Sequence, residues 1–128
     1  MRPSIFLFGA VVVAAAFPAS AEDGAAMFAS NCSACHQERG EGIAGAFPAL
    51  AGNTFVQGPA DQVAKTVLNG RGGMPAFRGD LNDGQIAAIL SFVRQAWGNR
   101  SGAIAEAQVA ALRLPDGGES HSSQLQAH

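Results

Sequence analysis

The sequence is poor in cysteine and in basic residues, and both shortages exclude classes of protein. Its 128 residues include only two Cys and a single Lys, Lys65, and the formal net charge is −2. A structural zinc site needs four ligands, usually from two cysteine pairs, so two cysteines are too few for the common form. The few basic residues form no run or patch, so we expect no nucleic-acid partner.

Long apolar runs are also missing. Residues 5–17 are apolar, which is shorter than the roughly 20 residues that a membrane-spanning helix needs. Arg2 precedes this run, and residues 18–21 end in an Ala-x-Ala pattern. These features indicate a secretory signal peptide over residues 1–21, cleaved after Ala21. We therefore expect a periplasmic protein with no membrane span after cleavage; the alternative is an uncleaved anchor.

Both cysteines lie in the pentad Cys32-Ser33-Ala34-Cys35-His36. Cys-x-x-Cys-His is the attachment signature of c-type haem, in which two thiols add to the vinyl groups of one porphyrin edge and the histidine binds the iron. The pair Cys32 and Cys35 has two other readings. A redox dithiol uses Cys-x-x-Cys in a strand–helix–strand context, whereas the residues before Cys32 are typical of a helix. A disulfide would close a very small loop and stabilise little.

A second candidate iron ligand is Met74, in the run Gly72-Gly73-Met74-Pro75. Pro75 favours an extended backbone at Met74, and the glycines allow close approach to a neighbour. Without the pentad, a methionine here would be read as a residue that fills a gap in the core. With the pentad 38 residues upstream, we interpret Met74 as the second axial ligand of the iron.

The pattern of apolar residues predicts an all-α protein. Asp23 can cap a short first helix, and Pro59 is expected as the first residue of another that Gly70 ends. Asn82 and Gln85 form a capping-box pattern ahead of the clearest amphipathic stripe, which extends to Trp97. The predicted helices cover residues 24–31, 59–69, 82–97 and 105–113.

Residues 37–58 are rich in glycine and show no helical or strand period. A connection of this length inside a small domain is usually functional, so we expect it to wrap a cofactor. The predicted organisation is a signal peptide (1–21), a main domain (22–99), a short helical extension (100–114) and a disordered tail (115–128).

Together these features resemble the class I monohaem cytochromes c over about residues 22–99. The resemblance rests on Gly24-x-x-x-Phe28-x-x-x-Cys32, the pentad, Pro48-x-Leu50 and the Met74 segment ahead of the last long helix. It implies the class I cytochrome c fold, with three to four main helices around one covalent haem c and crossing first and last helices. It also implies that the Pro48 carbonyl accepts the ring N–H of His36.

The resemblance further implies electron transport as the function. Arg71 to Phe77 and Trp97-Gly98-Asn99 are similar to bacterial cytochromes associated with dehydrogenases or terminal oxidases, which gives redox proteins as the expected partners. The chain has no Tyr, and its only Trp lies in the last long predicted helix, so the aromatic hydrogen bond to a haem propionate seen in mitochondrial members lacks its donor. We expect Asn53 or Arg71 to contact a propionate instead. The alternative function is a peroxide-reducing or gas-binding haem protein in which Met74 is a labile ligand.

Overall fold

A computed structural model describes residues 21–114, and this part of the chain contains five helices and no strand. They are α1 (Ala21–Asn31), α2 (Ser33–His36), α3 (Ala60–Asn69), α4 (Asp83–Val93) and α5 (Glu106–Arg113). The all-α prediction is confirmed. Apart from Ala21 in α1, the predicted signal peptide and the predicted tail lie outside the described residues.

Helices α1 and α4 cross at Gly24, which is buried. A Cβ atom at this position would lie 2.3 Å from the carbonyl oxygen of Ala88 and 2.9 Å from Cβ of Phe92, so only glycine lets the two backbones come this close. One turn later, the ring of Phe28 packs 5.8 Å from that of Phe92. The resemblance implies this crossing, and the structure confirms it.

Buried side chains from α1, α3, α4 and the segments between them form one core. Phe28 and Leu68 are the largest buried residues of α1 and α3, at 2% and 0% exposure. Full burial of one such side chain stabilises the fold by about 2–3 kcal/mol. Four core residues of α4 lie on the predicted apolar stripe, namely Ile86, Ile89, Leu90 and Val93, and Ala87 is buried beside them.

Helix α4 begins as predicted but ends earlier. The side chain of Asn82 accepts a hydrogen bond from the Gln85 amide, and the Gln85 side chain accepts one from the Asn82 amide, both at 2.9 Å. The helix stops at Val93, so the prediction that it extends to Trp97 is wrong. Trp97 instead has a positive φ of 53° in the turns that follow.

The early end of α4 has a local cause in Asn99. Its Nδ2 donates to the carbonyl oxygen of Val93 at 2.9 Å, so this carbonyl is satisfied without a further helical turn. The resulting turns bring the ring of Trp97 back onto Phe28, at 5.0 Å between ring centres. Trp97 therefore packs with the predicted apolar cluster, although it is not on the helix.

Helix α3 lies where the sequence predicts it, with one correction at its start. Pro59 is the residue before the helix and not its first residue, since its ψ of 126° is not helical. Asp61 is in the first turn, where the helix dipole favours an acidic side chain. Gly70 ends the helix with a φ of 74°.

The long segment 37–58 contains no helix or strand, as predicted, and packs as a series of turns. Gly40 lies under the indole of Trp97, where a Cβ atom would come within 2.5 Å of the ring.

None of the helices in residues 21–114 combines the length and the apolar composition needed to cross a bilayer.

Helix α5 agrees with the prediction of a short helix over residues 105–113. Val109 is fully buried and Ile104, just before the helix, is 4% exposed. The helix packs against both α3 and α4. The extension is therefore part of the same core and does not project from it.

Candidate haem site

One cavity of about 590 Å³ lies between the pentad, the segment 37–58, α3, the Met74 segment and α4. This volume is in the range of pockets that enclose a small organic ligand. All four residues predicted to hold the cofactor line it: Cys32, Cys35, His36 and Met74. Most of the other wall residues are apolar: Phe28, Ala46, Phe47, Leu50, Phe55, Val56, Val63, Val67, Phe77, Leu81, Ile89, Leu90 and Val93.

The last four residues of the pentad form a helix, and this helix was not predicted from the sequence. Helix α2 covers Ser33–His36 directly after α1, and the amide of His36 donates to the carbonyl of Cys32 at 2.9 Å. Residues three and four positions apart share one face of a helix, so Cys32, Cys35 and His36 all face the cavity. Both cysteines are unpaired and half-buried, so both thiols are available at the cavity wall.

His36 is oriented by the carbonyl of Pro48, as the resemblance implies. Its Nδ1 lies 2.9 Å from that oxygen. Because a carbonyl oxygen only accepts, the shared hydrogen is on Nδ1, and Nε2 keeps the lone pair that a metal needs. A ring nitrogen held in this way is the usual companion of a metal-bound histidine.

Gly42 holds the Pro48 carbonyl at the right place. Its φ is 64°, and a Cβ atom there would lie 2.5 Å from the carbonyl oxygen of Phe47 and 2.7 Å from the carbonyl carbon of Pro48. The amide of Gly42 also donates to the carbonyl of His36 at 2.9 Å. The glycine thus joins the two ends of the His36–Pro48 contact.

Met74 is presented by a tight turn. Arg71 and Met74 exchange two backbone hydrogen bonds, at 3.0 and 3.1 Å, across Gly72 and Gly73. Gly72 has a φ of 58°, which a residue with a side chain rarely adopts. Gly70 packs against the turn, since a Cβ atom there would lie 2.6 Å from the carbonyl oxygen of Met74. The backbone that presents the Met74 thioether to the cavity is therefore well defined.

The environment of the first cysteine argues against a redox dithiol. Burial raises the pKa of the Cys32 thiol to about 11, and the neighbouring Cys35 adds to this shift. Reactive cysteines of dithiol enzymes have lowered pKa values, because the thiolate is the nucleophile. The apolar cavity is suited to holding the sulfur in a neutral form such as a thioether.

Asn53 and Arg71, the two residues predicted to contact a propionate, also line the cavity. Their side chains differ in how many hydrogen bonds they already make within the protein. The Oδ1 of Asn53 accepts hydrogen bonds from the amides of Phe55 and Val56, and its Nδ2 donates to the Ala49 carbonyl at 2.7 Å. Asn53 therefore shapes the loop. The guanidinium of Arg71 lies 5.5 Å from the ring centre of Phe55 and is exposed.

Arg94 and Asn99 are buried polar residues that hold the cavity walls together, a role that their sequence positions did not predict. Arg94 is 6% exposed, and its Nη1 donates to the carbonyls of Val56 and Gly58 at 2.6 and 2.9 Å. Asn99 is 2% exposed and donates from Nδ2 to the carbonyl of Leu50 at 3.0 Å. For Arg94 no sequence signal existed; for Asn99 the only signal was its place after Trp97 and Gly98.

The donor set fits a covalently attached haem. The free thiols of Cys32 and Cys35, the imidazole of His36 and the thioether of Met74 all lie on the wall of one apolar cavity. The Nδ1 atom of the imidazole is held by the Pro48 carbonyl. Thiols, imidazole and thioether are the groups that attach and ligate haem c.

Comparison with known proteins finds relatives among the c-type cytochromes. A family model described as "Cytochrome C oxidase, cbb3-type, subunit III" matches residues 19–93. Cytochrome c6 of Picosynechococcus sp. is 36% identical over 99 residues, which cover 70% of this chain and 81% of the relative. The cytochrome c subunit of the quinone alcohol dehydrogenase of Gluconacetobacter polyoxogenes is 33% identical over 103 residues, or 70% of this chain, but this chain spans only 22% of that relative.

A solved structure agrees with the sequence relatives. Cytochrome c6 of the diatom Phaeodactylum tricornutum superposes with a TM-score of 0.52 at 27% sequence identity. The superposition covers 60% of this chain and 93% of the diatom protein.

Proposed function

The chain belongs to the class I cytochrome c family, and we propose that it is a periplasmic carrier of single electrons whose haem iron is ligated by His36 and Met74. As a member of this family, it binds a haem c covalently and carries electrons.

One observation carries the ligand assignment. His36 and Met74 line the same cavity, and the 2.9 Å contact with Pro48 leaves Nε2 of His36 free. Cys32 and Cys35 line that cavity too, and we assign to them the two covalent bonds to the haem. If His36 and Met74 both bound the iron, the chain would leave no open position for a substrate, which favours a carrier over an enzyme.

The haem supplies the one-electron exchange at its iron. The residues around the haem set its reduction potential. A thioether ligand from Met74 favours the reduced iron and raises the reduction potential. Buried apolar side chains such as Ile89 and Leu90 line the cavity, where they keep water out and act in the same direction.

Electron exchange with partners takes place where the cavity opens to solvent. Phe47 and Phe55 line the cavity and are 39% and 40% exposed. We propose a dehydrogenase or a terminal oxidase as a partner, on the ground of the dehydrogenase cytochrome subunits and the oxidase subunit family that the chain resembles.

A redox titration tests the proposal. The protein is made in cells that export it and mature c-type cytochromes, with Cys32→Ser/Cys35→Ser as the control. We expect a haem that stays on the denatured chain, a single one-electron transition, and loss of the haem–protein bond in the control. A haem that is extracted from the denatured wild-type protein would contradict the covalent assignment.

A further inference from the structure

Two arginines from distant parts of the chain hold each other through their main chains. Arg113, the last residue of α5, donates from Nη1 to the carbonyl of Arg78, and Arg78 donates from Nη1 to the carbonyl of Arg113. The Nη2 of Arg78 also donates to Oδ1 of Asn69 at 2.8 Å. The end of α5 is thereby tied to the segment after the Met74 turn and to the end of α3.

Arg113 has further partners on the same segment. Its Nη2 donates to the carbonyl of Leu81 at 2.8 Å, and its Nε donates to Oδ1 of Asp83 at 2.6 Å. One guanidinium thus binds three acceptors between residues 78 and 83. The side chains of Arg113 and Asp83 are each 25% exposed, so these charge-assisted hydrogen bonds are partly shielded from water.

Residues 75–82 connect Met74 to α4, and their backbone is held from two sides. On one side, Phe77 and Arg78 donate from their amides to the α3 carbonyls of Val67 and Leu68, at 3.0 and 3.3 Å. On the other side is the guanidinium of Arg113. The position of Met74 therefore depends on anchors that lie after it in the chain, and α5 contributes one of them.

Helix α5 is a fixed support for this contact. Val109 in its middle is fully buried against the core, and Ile104 is 4% exposed. The helix lies beyond residue 93, where the match to the family model ends. The support therefore comes from a part of the chain outside the matched region.

We propose that Arg113 is a positioning residue for Met74: by clamping the segment from Arg78 to Asp83, it keeps the thioether at the cavity. The proposal rests on the proposed ligation of the iron by Met74. Without the clamp, the segment moves away more often, and an added ligand can take the vacated place. The apparent affinity for such a ligand increases in proportion to the fraction of molecules in which the place is open.

The test is a titration of the oxidised, haem-loaded protein with imidazole. For Arg113→Ala we expect an apparent affinity about tenfold above that of the wild type, the size of effect that loss of hydrogen bonds to a charged group produces. Arg113→Lys keeps the charge but loses the planar guanidinium with its several N–H donors. For this variant we expect an apparent imidazole affinity about threefold above that of the wild type. The amides of Phe77 and Arg78 should also exchange hydrogen faster than in the wild type, most in Arg113→Ala and less in Arg113→Lys.

Two controls separate this role from general effects. Ile104→Val weakens the core under the other end of the extension, and Arg100→Ala removes the same charge from an exposed site. Neither should change the imidazole affinity by more than about twofold. Arginine variants that behave like these controls would overturn the clamp and leave the proposed function intact. A wild-type protein that binds imidazole as tightly as Met74→Ala would overturn both.

Discussion

The imidazole Nδ1 of His36 lies 2.9 Å from the carbonyl oxygen of Pro48, twelve residues further along the chain. This contact sets which ring nitrogen carries the hydrogen, and it turns the other nitrogen toward the cavity that Met74 also lines. A short helix and a glycine-dependent loop produce it together. Its strength therefore depends on residues that never touch the cofactor.

Gly42 is the first such residue. Gly42→Ala should lower the free energy of unfolding by about 3 kcal/mol, because the new methyl group meets the Phe47 and Pro48 backbone in addition to the strain of a positive φ. Gly45→Ala is the matched control: φ is 77°, but nothing lies within 4 Å of the added atom, so we expect about 1 kcal/mol. Denaturant unfolding of the two variants measures the difference; equal losses would mean that the contact with Pro48 is unimportant.

The helix crossing gives a second prediction. Gly24→Ala should destabilise the protein by about 2–3 kcal/mol, because the Ala88 carbonyl is only 2.3 Å from the new Cβ and α1 must move away from α4. At Gly102 the same change meets nothing within 4 Å, so its effect should stay within about 0.5 kcal/mol. Thermal unfolding compares the two, and an unaffected Gly24→Ala protein would show that the helices can separate without cost.

Asn99 gives a third prediction. Asn99→Ala removes the acceptor of the Gly52 amide and the donor to the Leu50 and Val93 carbonyls, all in a residue that is 2% exposed. Leaving these groups unpaired should cost about 3 kcal/mol of unfolding free energy. Gln95→Ala, at an exposed position nearby, serves as the control and should cost under about 0.5 kcal/mol. Chemical denaturation decides, and a loss as small as the control's would mean that water replaces the amide.

The proposed ligand gives a fourth prediction. Met74→Leu should keep the covalent haem but lower the reduction potential by about 100 mV or more, because no thioether stabilises the reduced iron. Met27→Leu changes a methionine that packs against the core away from the cavity lining, and its potential should change by under about 20 mV. Spectroelectrochemistry measures both. Equal potentials in the wild type and Met74→Leu would remove Met74 from the iron.

Short-range patterns carried most of what the sequence alone could predict. The pentad, the glycine pair before Met74 and the capping box at Asn82 each lie within a few residues, and their meaning comes from covalent geometry and local hydrogen bonds. Helices α3 and α5 begin within one residue of their predicted starts and end at the predicted residues. Short-range patterns did not predict α2, whose four residues are too few for any apolar period.

The family resemblance implied two contacts between distant residues, the crossing at Gly24 and the contact of His36 with Pro48. The other contacts between distant residues could not be predicted. The apolar pattern continues to Trp97 although the helix ends at Val93, so the predicted helix was too long. The hydrogen bond from Asn99 to the Val93 carbonyl, which accompanies the end of the helix, leaves no trace in that pattern. Arg94 follows the apolar stripe as an ordinary charged residue would, and its contact with Val56 joins positions 38 residues apart. The clamp of Arg113 on Arg78 is hidden for the same reason, because it uses backbone carbonyls that any sequence supplies.

The measurement that tests the central claim most directly is the visible spectrum of the reduced protein with and without carbon monoxide. If His36 and Met74 occupy both axial positions, the wild-type spectrum at neutral pH should be unchanged by the gas, whereas that of Met74→Ala should shift fully. A wild-type spectrum that shifts as strongly as that of the variant would contradict the account. It would mean that one coordination position of the iron is open in the wild type. The site would then function in binding or converting a ligand rather than in electron transport.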